Sequence, residues 1–177
     1  MVSYLSTTML IGIMSDSHDN IVAIEKALTI FRKEDVDVLI HLGDIISPFA
    51  FAKILEFPTK ILTILGNNDG DIIQLKEMAI KGGAILKQFM FATSIGNKQI
   101  LLVHGYGSKE HTKNIIYSLA STGHYDIVLY GHTHEVDVLS KDSVLVLNPG
   151  EVCGYITGRQ SVAIIDIDTM KFNIIDL

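Results

Sequence analysis

The stretch Leu10-Ile11-Gly12-Ile13-Met14-Ser15-Asp16-Ser17-His18 decides the fold, because a short and almost unbroken apolar run stops at a carboxylate and an imidazole. A run of that length without alternation predicts a strand buried on both faces, the environment of a parallel sheet. Outward from it, Ile21, Ile24, Ala27, Leu28 and Phe31 recur at helical spacing over residues 20–32, and Asp19 or Asn20 stands where a helix cap belongs. The strand-then-helix unit repeats, with a strand over 36–42, a short helix after Pro48, a strand over 61–65 and a helix over 72–80. Repeated βα units imply parallel pairing.

After Gly82-Gly83 the texture changes. Residues 85–95 and 99–103 read as two strands of an antiparallel hairpin that turns at Gly96-Asn97. A helix over 109–120 precedes a strand over 127–130, and further strands read at 136–139, 144–147, 161–167 and 171–175. The expectation is an α/β protein of two packed sheets flanked by helices. With no low-complexity linker, charge block or repeat, residues 9–177 read as one domain. Residues 1–8 carry no strand or helix pattern and no basic segment ahead of a long apolar one, so they read as a flexible extension rather than a signal peptide.

Composition narrows the function. Fourteen Lys and Arg against 20 Asp and Glu give a formal charge of −6, the wrong sign for a broad face that grips a nucleic-acid backbone. The single cysteine, Cys153, has no internal disulfide partner, and no apolar run approaches the roughly 20 residues of a membrane span. A cytoplasmic protein without membrane partners is expected.

Four polar motifs follow predicted strands: Asp16-Ser17-His18, Gly43-Asp44, Gly66-Asn67-Asn68-Asp69 and Gly131-His132-Thr133-His134, with His104-Gly105 before the last. The carboxyl ends of strands are where open α/β sheets bind ligands. Residues two apart on an extended segment point the same way, so Asp16 with His18, and His132 with His134, can each aim two side chains into one crevice. Imidazoles, carboxylates and an amide oxygen suit first-row divalent ions such as Mn, Fe, Zn, Co or Ni. Seven protein ligands exceed one tetrahedral ion, whereas two ions sharing Asp44 can use them all. Two such ions outweigh Asp16, Asp44 and a bridging hydroxide, which leaves a positive site suited to a phosphate ester. Metal binding lowers the pKa of water to about 7 in favourable sites, so the bridging hydroxide is the expected nucleophile.

These residues, in the order D-x-H, G-D, G-N-x-D, H-G and G-H-x-H, resemble the calcineurin-like metallophosphoesterases from Leu10 to about Asp168. The GNND form of the third motif and the segment Asn148-Pro149-Gly150-Glu151-Val152-Cys153-Gly154-Tyr155 look most like the compact archaeal and bacterial phosphodiesterases of that family. The resemblance implies a two-sheet αββα sandwich. It implies one ion on Asp16, His18, Asp44 and His134, and another on Asp44, Asn67, His104 and His132. It also implies Mn²⁺ or Ni²⁺, with Zn²⁺ or Fe as further candidates, in-line hydrolysis of a small phosphodiester, and homodimers, since compact relatives are often dimers. Many family phosphatases carry His where this chain has Asn68, and a neutral amide cannot be a general acid. Activity on alkyl monoesters is therefore expected to be weak. Asp69 is expected to orient His18 or His104.

Competing readings are a scaffold, like the retromer subunit of the same fold, a phosphomonoesterase, and a nuclease. All seven ligand positions are intact, which favours catalysis over the scaffold, and no basic strip with interleaved aromatics supports the nuclease. His41 reads as a hydrogen-bonded core histidine rather than a support for the ligands, His111 as exposed rather than in contact with substrate, and His124 as a turn residue. Cys153 reads as buried and inert. Asn148-Pro149-Gly150 follows a strand as the ligand motifs do and could border the phosphate pocket.

Overall fold

The computed structural model describes residues 8–141 and 143–177; residues 1–7, most of the expected extension, lie outside the described residues. The elements run β1 (Leu10–Met14), α1 (Ile21–Lys33), β2 (Val38–His41), α2 (Pro48–Ile54), β3 (Lys60–Ile64), α3 (Ile72–Gly82), β4 (Ile85–Lys87), β5 (Met90–Ile95), β6 (Lys98–Val103), α4 (Lys109–Ala120), β7 (Ile127–Tyr130), β8 (Val136–Lys141), β9 (Val144–Pro149), β10 (Ser161–Asp166) and β11 (Phe172–Asp176). One sheet has the order β11-β10-β1-β2-β3-β4 and the other β5-β6-β7-β9-β8. β1 to β4 are parallel, with β10 and β11 antiparallel at one side. In the second sheet β6, β7 and β9 are parallel, and β5 and β8 run against them.

Period-two alternation builds three apolar layers from these strands. Ile11, Ile13, Val38, Ile40, Leu62 and Ile64 of the first sheet meet Ile100, Leu102, Ile127, Leu129, Leu145 and Leu147 of the second. The opposite faces turn outward to helices. Leu39 and Ile61 pack under α1 to α3 with Phe31, Phe51 and Leu75, while Leu101, Val128 and Val146 pack under α4 with Ile116. Gly12 is required here, since a Cβ at this position would lie 2.8 Å from the Phe31 ring. Asn20 proves to be the α1 cap, its side chain accepting from the Ala23 N–H at 3.2 Å.

The expected single strand over 85–95 is two strands in different sheets. Leu62 to Ile64 pair with 85–87, and Met90 to Ile95 pair with β6 around the Gly96-Asn97 turn. The apolar pattern is continuous across the break, but each half satisfies its backbone hydrogen bonds with a different partner. Even the crossover residue Phe89 is used, its carbonyl accepting from the His104 N–H at 2.9 Å. No helix among the described residues is long and apolar enough to cross a membrane.

Candidate metal centre

The carboxyl ends of β1, β2 and β3 meet those of β6, β7 and β9 along one edge of the sandwich. The loops are tied across that edge: Val152 N–H donates to Ser15 O at 3.0 Å, Cys153 N–H to Asp16 O at 3.1 Å, and His18 N–H to Asp44 O at 3.0 Å. All seven expected ligands are brought together there. Asp16, His18, Asp44 and His134 each offer an atom within 4.8 Å of the others. Asn67 Oδ1 lies 3.1 Å from His104 Nε2 and 2.8 Å from His132 Nδ1, and Asp44 Oδ1 lies 3.4 Å from His104 Nε2.

They do not converge by extended alternation. Asp16, His18, Asp44, His132 and His134 have φ of 51°, 41°, 58°, 68° and 61°, so each ligand is turned inward by left-handed backbone. Such residues cost about 1–3 kcal/mol each and persist where surrounding bonds over-determine them. The motif glycines allow the loops to close around the ligands. A Cβ on Gly43 would lie 2.6 Å from His104 Nδ1, and one on Gly131 would overlap the Ser15 hydroxyl.

Support is uneven in kind. Asp16 is fully buried, with Oδ2 accepting from Ser15 Oγ at 2.5 Å and from His132 N–H at 3.0 Å. Burial raises its pKa against the nearby His104 and His134. For Asp44, burial is outweighed by His104, His18 and the Asn68 N–H, which hold it well below the usual range. Burial pulls His18 and His104 down, but the Asp44 and Asp16 carboxylates reverse this and raise both. His104 Nδ1 bonds the Leu42 carbonyl at 2.7 Å, which leaves Nε2 facing the centre.

Glu151 was missed among the candidate site residues, and it proves central. It is fully buried, and its carboxylate accepts from His134 Nδ1 at 2.7 Å, Cys153 Sγ at 2.9 Å, and Thr157 N–H and Oγ at 2.6 and 2.7 Å. Burial alone would raise its pKa, yet these donors bring it to about 2. Ionised Glu151 therefore fixes the His134 tautomer with Nε2 toward Asp16, the arrangement that orients a ligating imidazole. The signal available in the sequence was a glutamate just past a strand end that carries a turn, the same placement as the ligands.

Other expectations divide. Asp69 does not touch His18 or His104; its carboxylate accepts from the backbone N–H groups of Asp44, Ile46 and Gly66 at 3.1, 2.7 and 2.6 Å. It orients the loops because three convergent amides reward a carboxylate more than an imidazole already bonded to Leu42 O. Asn148 is fully buried, donates to Gly131 O and Thr133 Oγ at 3.0 Å each, and stitches the GHTH loop instead of bordering a pocket. Asn68 donates through its amide to Asp44 Oδ2 at 2.7 Å. His41 is a buried core histidine, with a pKa lowered by burial to about 3, and also ties the ligand loops: Nδ1 accepts from Gly43 N–H at 3.2 Å and Nε2 meets Ser17 Oγ at 3.0 Å. His111 is exposed on α4. Cys153 is buried beside Glu151, which together push its thiol up to about 12; a nucleophilic role is thereby disfavoured.

A mixed-sheet αββα sandwich with imidazoles and carboxylates gathered at one strand edge defines a class, the metal-dependent phosphoric ester hydrolases. The chain belongs to the calcineurin-like phosphoesterase superfamily, whose domain profile matches residues 9–170. It is 38% identical to phosphodiesterase MJ0936 of Methanocaldococcus jannaschii over 93% of this chain and 96% of that protein. A solved archaeal phosphodiesterase superposes with a TM-score of 0.87 at 36% identity, covering 96% of this chain and 100% of that one. Vps29 from Chaetomium thermophilum, with a TM-score of 0.70 and 13% identity over 96% of each chain, shares the fold.

Proposed function

We propose that this enzyme hydrolyses small phosphodiesters by in-line attack of water at a centre of two divalent ions, Mn²⁺ or Ni²⁺ in preference to Zn²⁺ or Fe. Asp16, His18, Asp44 and His134 would hold one ion and Asp44, Asn67, His104 and His132 the other. The observation that carries this reading is a set of carboxylate, amide and imidazole atoms that face one another, two of them buried without a partner among the described residues. Asp16 Oδ1 and His18 Nε2 are buried with no hydrogen-bond partner among the described residues. His134 Nε2 stands 3.4 Å from Asp16 Oδ1, and His18 Nε2 stands 3.4 Å from Asp44 Oδ2. On the other side, His104 donates through Nδ1 to Leu42 O and His132 through Nε2 to Gly107 O, so each turns its second ring nitrogen toward Asn67 Oδ1. Buried polar atoms without a partner are costly, and a cation relieves them. The nitrogen and oxygen donors fit first-row divalent ions.

When bound, such ions supply Lewis-acid charge toward phosphoryl oxygens and acidify a water. The chain's own residues do the positioning. Glu151 holds His134, the Leu42 carbonyl holds His104, and Asp69 holds the loops of Asp44 and Gly66. Asn68 offers an amide and no transferable proton, which favours esters whose leaving groups need little protonation. Against the scaffold reading stand seven ligand positions that all converge, and Glu151 behind one of them.

The test is hydrolysis of bis-p-nitrophenyl phosphate against p-nitrophenyl phosphate by metal-stripped protein, with Mn²⁺ or Ni²⁺ restored and Asp44→Ala as control. Metal-dependent diester turnover that exceeds monoester turnover and disappears in the variant supports the reading. Silence with both metals bound moves the assignment to the scaffold, and preferred monoester turnover moves it to a phosphomonoesterase.

A further inference from the structure

An open cleft of about 610 Å³ adjoins the Asn67 and His132 side of the centre. Asn67 and His132 form its inner wall, and Phe89, Met90, Tyr106 and Ile115 its outer walls, from the β4–β5 crossover, the start of β5, the loop after β6, and α4. Phe89 and Met90 are each 51% exposed and Tyr106 is 73% exposed. Large apolar side chains grouped beside a polar centre mark a binding surface. No lysine, arginine, aspartate or glutamate lines the cleft among the described residues, so it offers no lysine or arginine charge to a second phosphate. The other flank contrasts: a cleft of about 310 Å³ beside His134 is lined by Glu135, Thr157, Arg159 and Ser161.

We propose that the larger cleft is the subsite for an aromatic ester group, so the enzyme selects diesters that carry a ring on one ester oxygen. The inference rests on the phosphodiesterase reading and names its substrate class. Aromatic side chains and a thioether reward a π-system beyond its buried area, which favours a ring over an alkyl chain. The volume lies within the range of small-molecule sites. Its wall is fixed relative to the centre, since Gly107 O bonds His132 Nε2 at 2.8 Å and Thr112 Oγ both accepts from Tyr106 N–H at 3.0 Å and donates to Tyr106 O at 2.9 Å. The loop also passes flush against the ligand: a Cβ on Gly105, whose φ is 133°, would lie 2.6 Å from His132 Cβ. A ring seated here would therefore lie at a fixed position beside Asn67 and His132, where an ester oxygen of a phosphate held at the centre would carry it.

The experiment compares phenylphosphonate with methylphosphonate, both by calorimetric titration of Mn²⁺-loaded protein and as competitive inhibitors of bis-p-nitrophenyl phosphate hydrolysis. The expected result is about tenfold tighter binding of the phenyl compound. That ratio falls toward one in Phe89→Ala and Ile115→Glu and is kept in Arg159→Ala on the other flank. Phe89 is half-exposed, so its variant reads the cleft even where Ile115→Glu fails to fold. Hydrolysis with equal binding of the two phosphonates overturns the subsite alone, as does a phenyl preference that survives in folded Phe89→Ala. Absence of hydrolysis together with absence of binding overturns the phosphodiesterase reading and the subsite with it.

Discussion

On the Asp16, His18, Asp44 and His134 side of the centre, carboxylates are buried and the last imidazole is clamped by Glu151, whereas on the other side Asn67 is exposed and His132 leans on a loop carbonyl. The two sides also open differently, one toward a charged cleft and the other toward an apolar one. The contrast teaches a division of labour within one centre. Burial and an ionised support fix the first side, whereas on the second Asn67 and His132 face the apolar cleft and only His104 is fully buried. Asp44 joins them, 3.4 Å from both His18 and His104.

Removing the joint is the largest perturbation. Under the proposed two-ion arrangement Asp44→Ala takes a ligand from both ions at once, and turnover of the diester is expected to fall by more than about 10³-fold, with both ions lost on metal analysis. Retention of either ion in that variant breaks the shared-ligand reading and leaves two independent sites.

Acidification comes next, because ions compete with protons for imidazole. The raised pKa values of His18 and His104 in the metal-free protein mean that both hold protons above their usual 6.5. Binding must displace those protons, so affinity rises with pH through the raised values and falls below them, by about tenfold per pH unit for each proton displaced. The sign is checked by the Mn²⁺-dependent rise in Tm, which should be larger at about pH 8 than at about pH 6. A rise that is independent of pH contradicts imidazole ligation.

Glu151→Gln tests the asymmetry itself. Loss of the anionic acceptor for His134 should weaken metal binding about 10- to 100-fold on the Asp16 side alone, and Asn67→Ala should weaken the other side alone. Calorimetric titration separates the two. Equal weakening of both sites by Glu151→Gln means that the sides behave as one unit.

How much of this was legible follows the same contrast. Apolar runs ending at Asp16, Asp44, Asn67 and His104 placed the ligands on one edge, because strand burial and period-two alternation are local properties of sequence. The split of residues 85–95 between two sheets was not legible, since hydrogen-bond partners are set by distant strands and the apolar pattern is the same on both sides of Phe89. The left-handed backbone at Asp16, His18, His132 and His134 also escaped a reading based on extended geometry. That conformation is enforced by tertiary bonds such as His132 N–H to Asp16 Oδ2. Glu151 and Asp69 show the limit most clearly: a carboxylate near a motif is visible in sequence, but whether it meets an imidazole or three backbone amides is decided by the fold.

The smallest effect expected concerns Asn68, at the edge shared by both sides. Its main-chain N–H and its amide bond the two oxygens of Asp44 at 2.8 and 2.7 Å, so the side chain sits against the carboxylate proposed to join the ions. Asn68→His would place an imidazole, with an ordinary pKa near 6.5, where only an amide stands now. General acid assistance is commonly worth 10²- to 10⁴-fold, but an imidazole drawn toward Asp44 spends part of its time away from the leaving group. We expect a gain of about tenfold in kcat/KM on alkyl phosphate monoesters, with little change for p-nitrophenyl esters, whose leaving group needs no proton. Because the proton donor is the imidazolium, the gain should fade as pH rises through the imidazole pKa. Strong alkyl monoesterase activity in the wild-type protein, or a gain equal on both kinds of ester, would show that proton donation does not limit this centre.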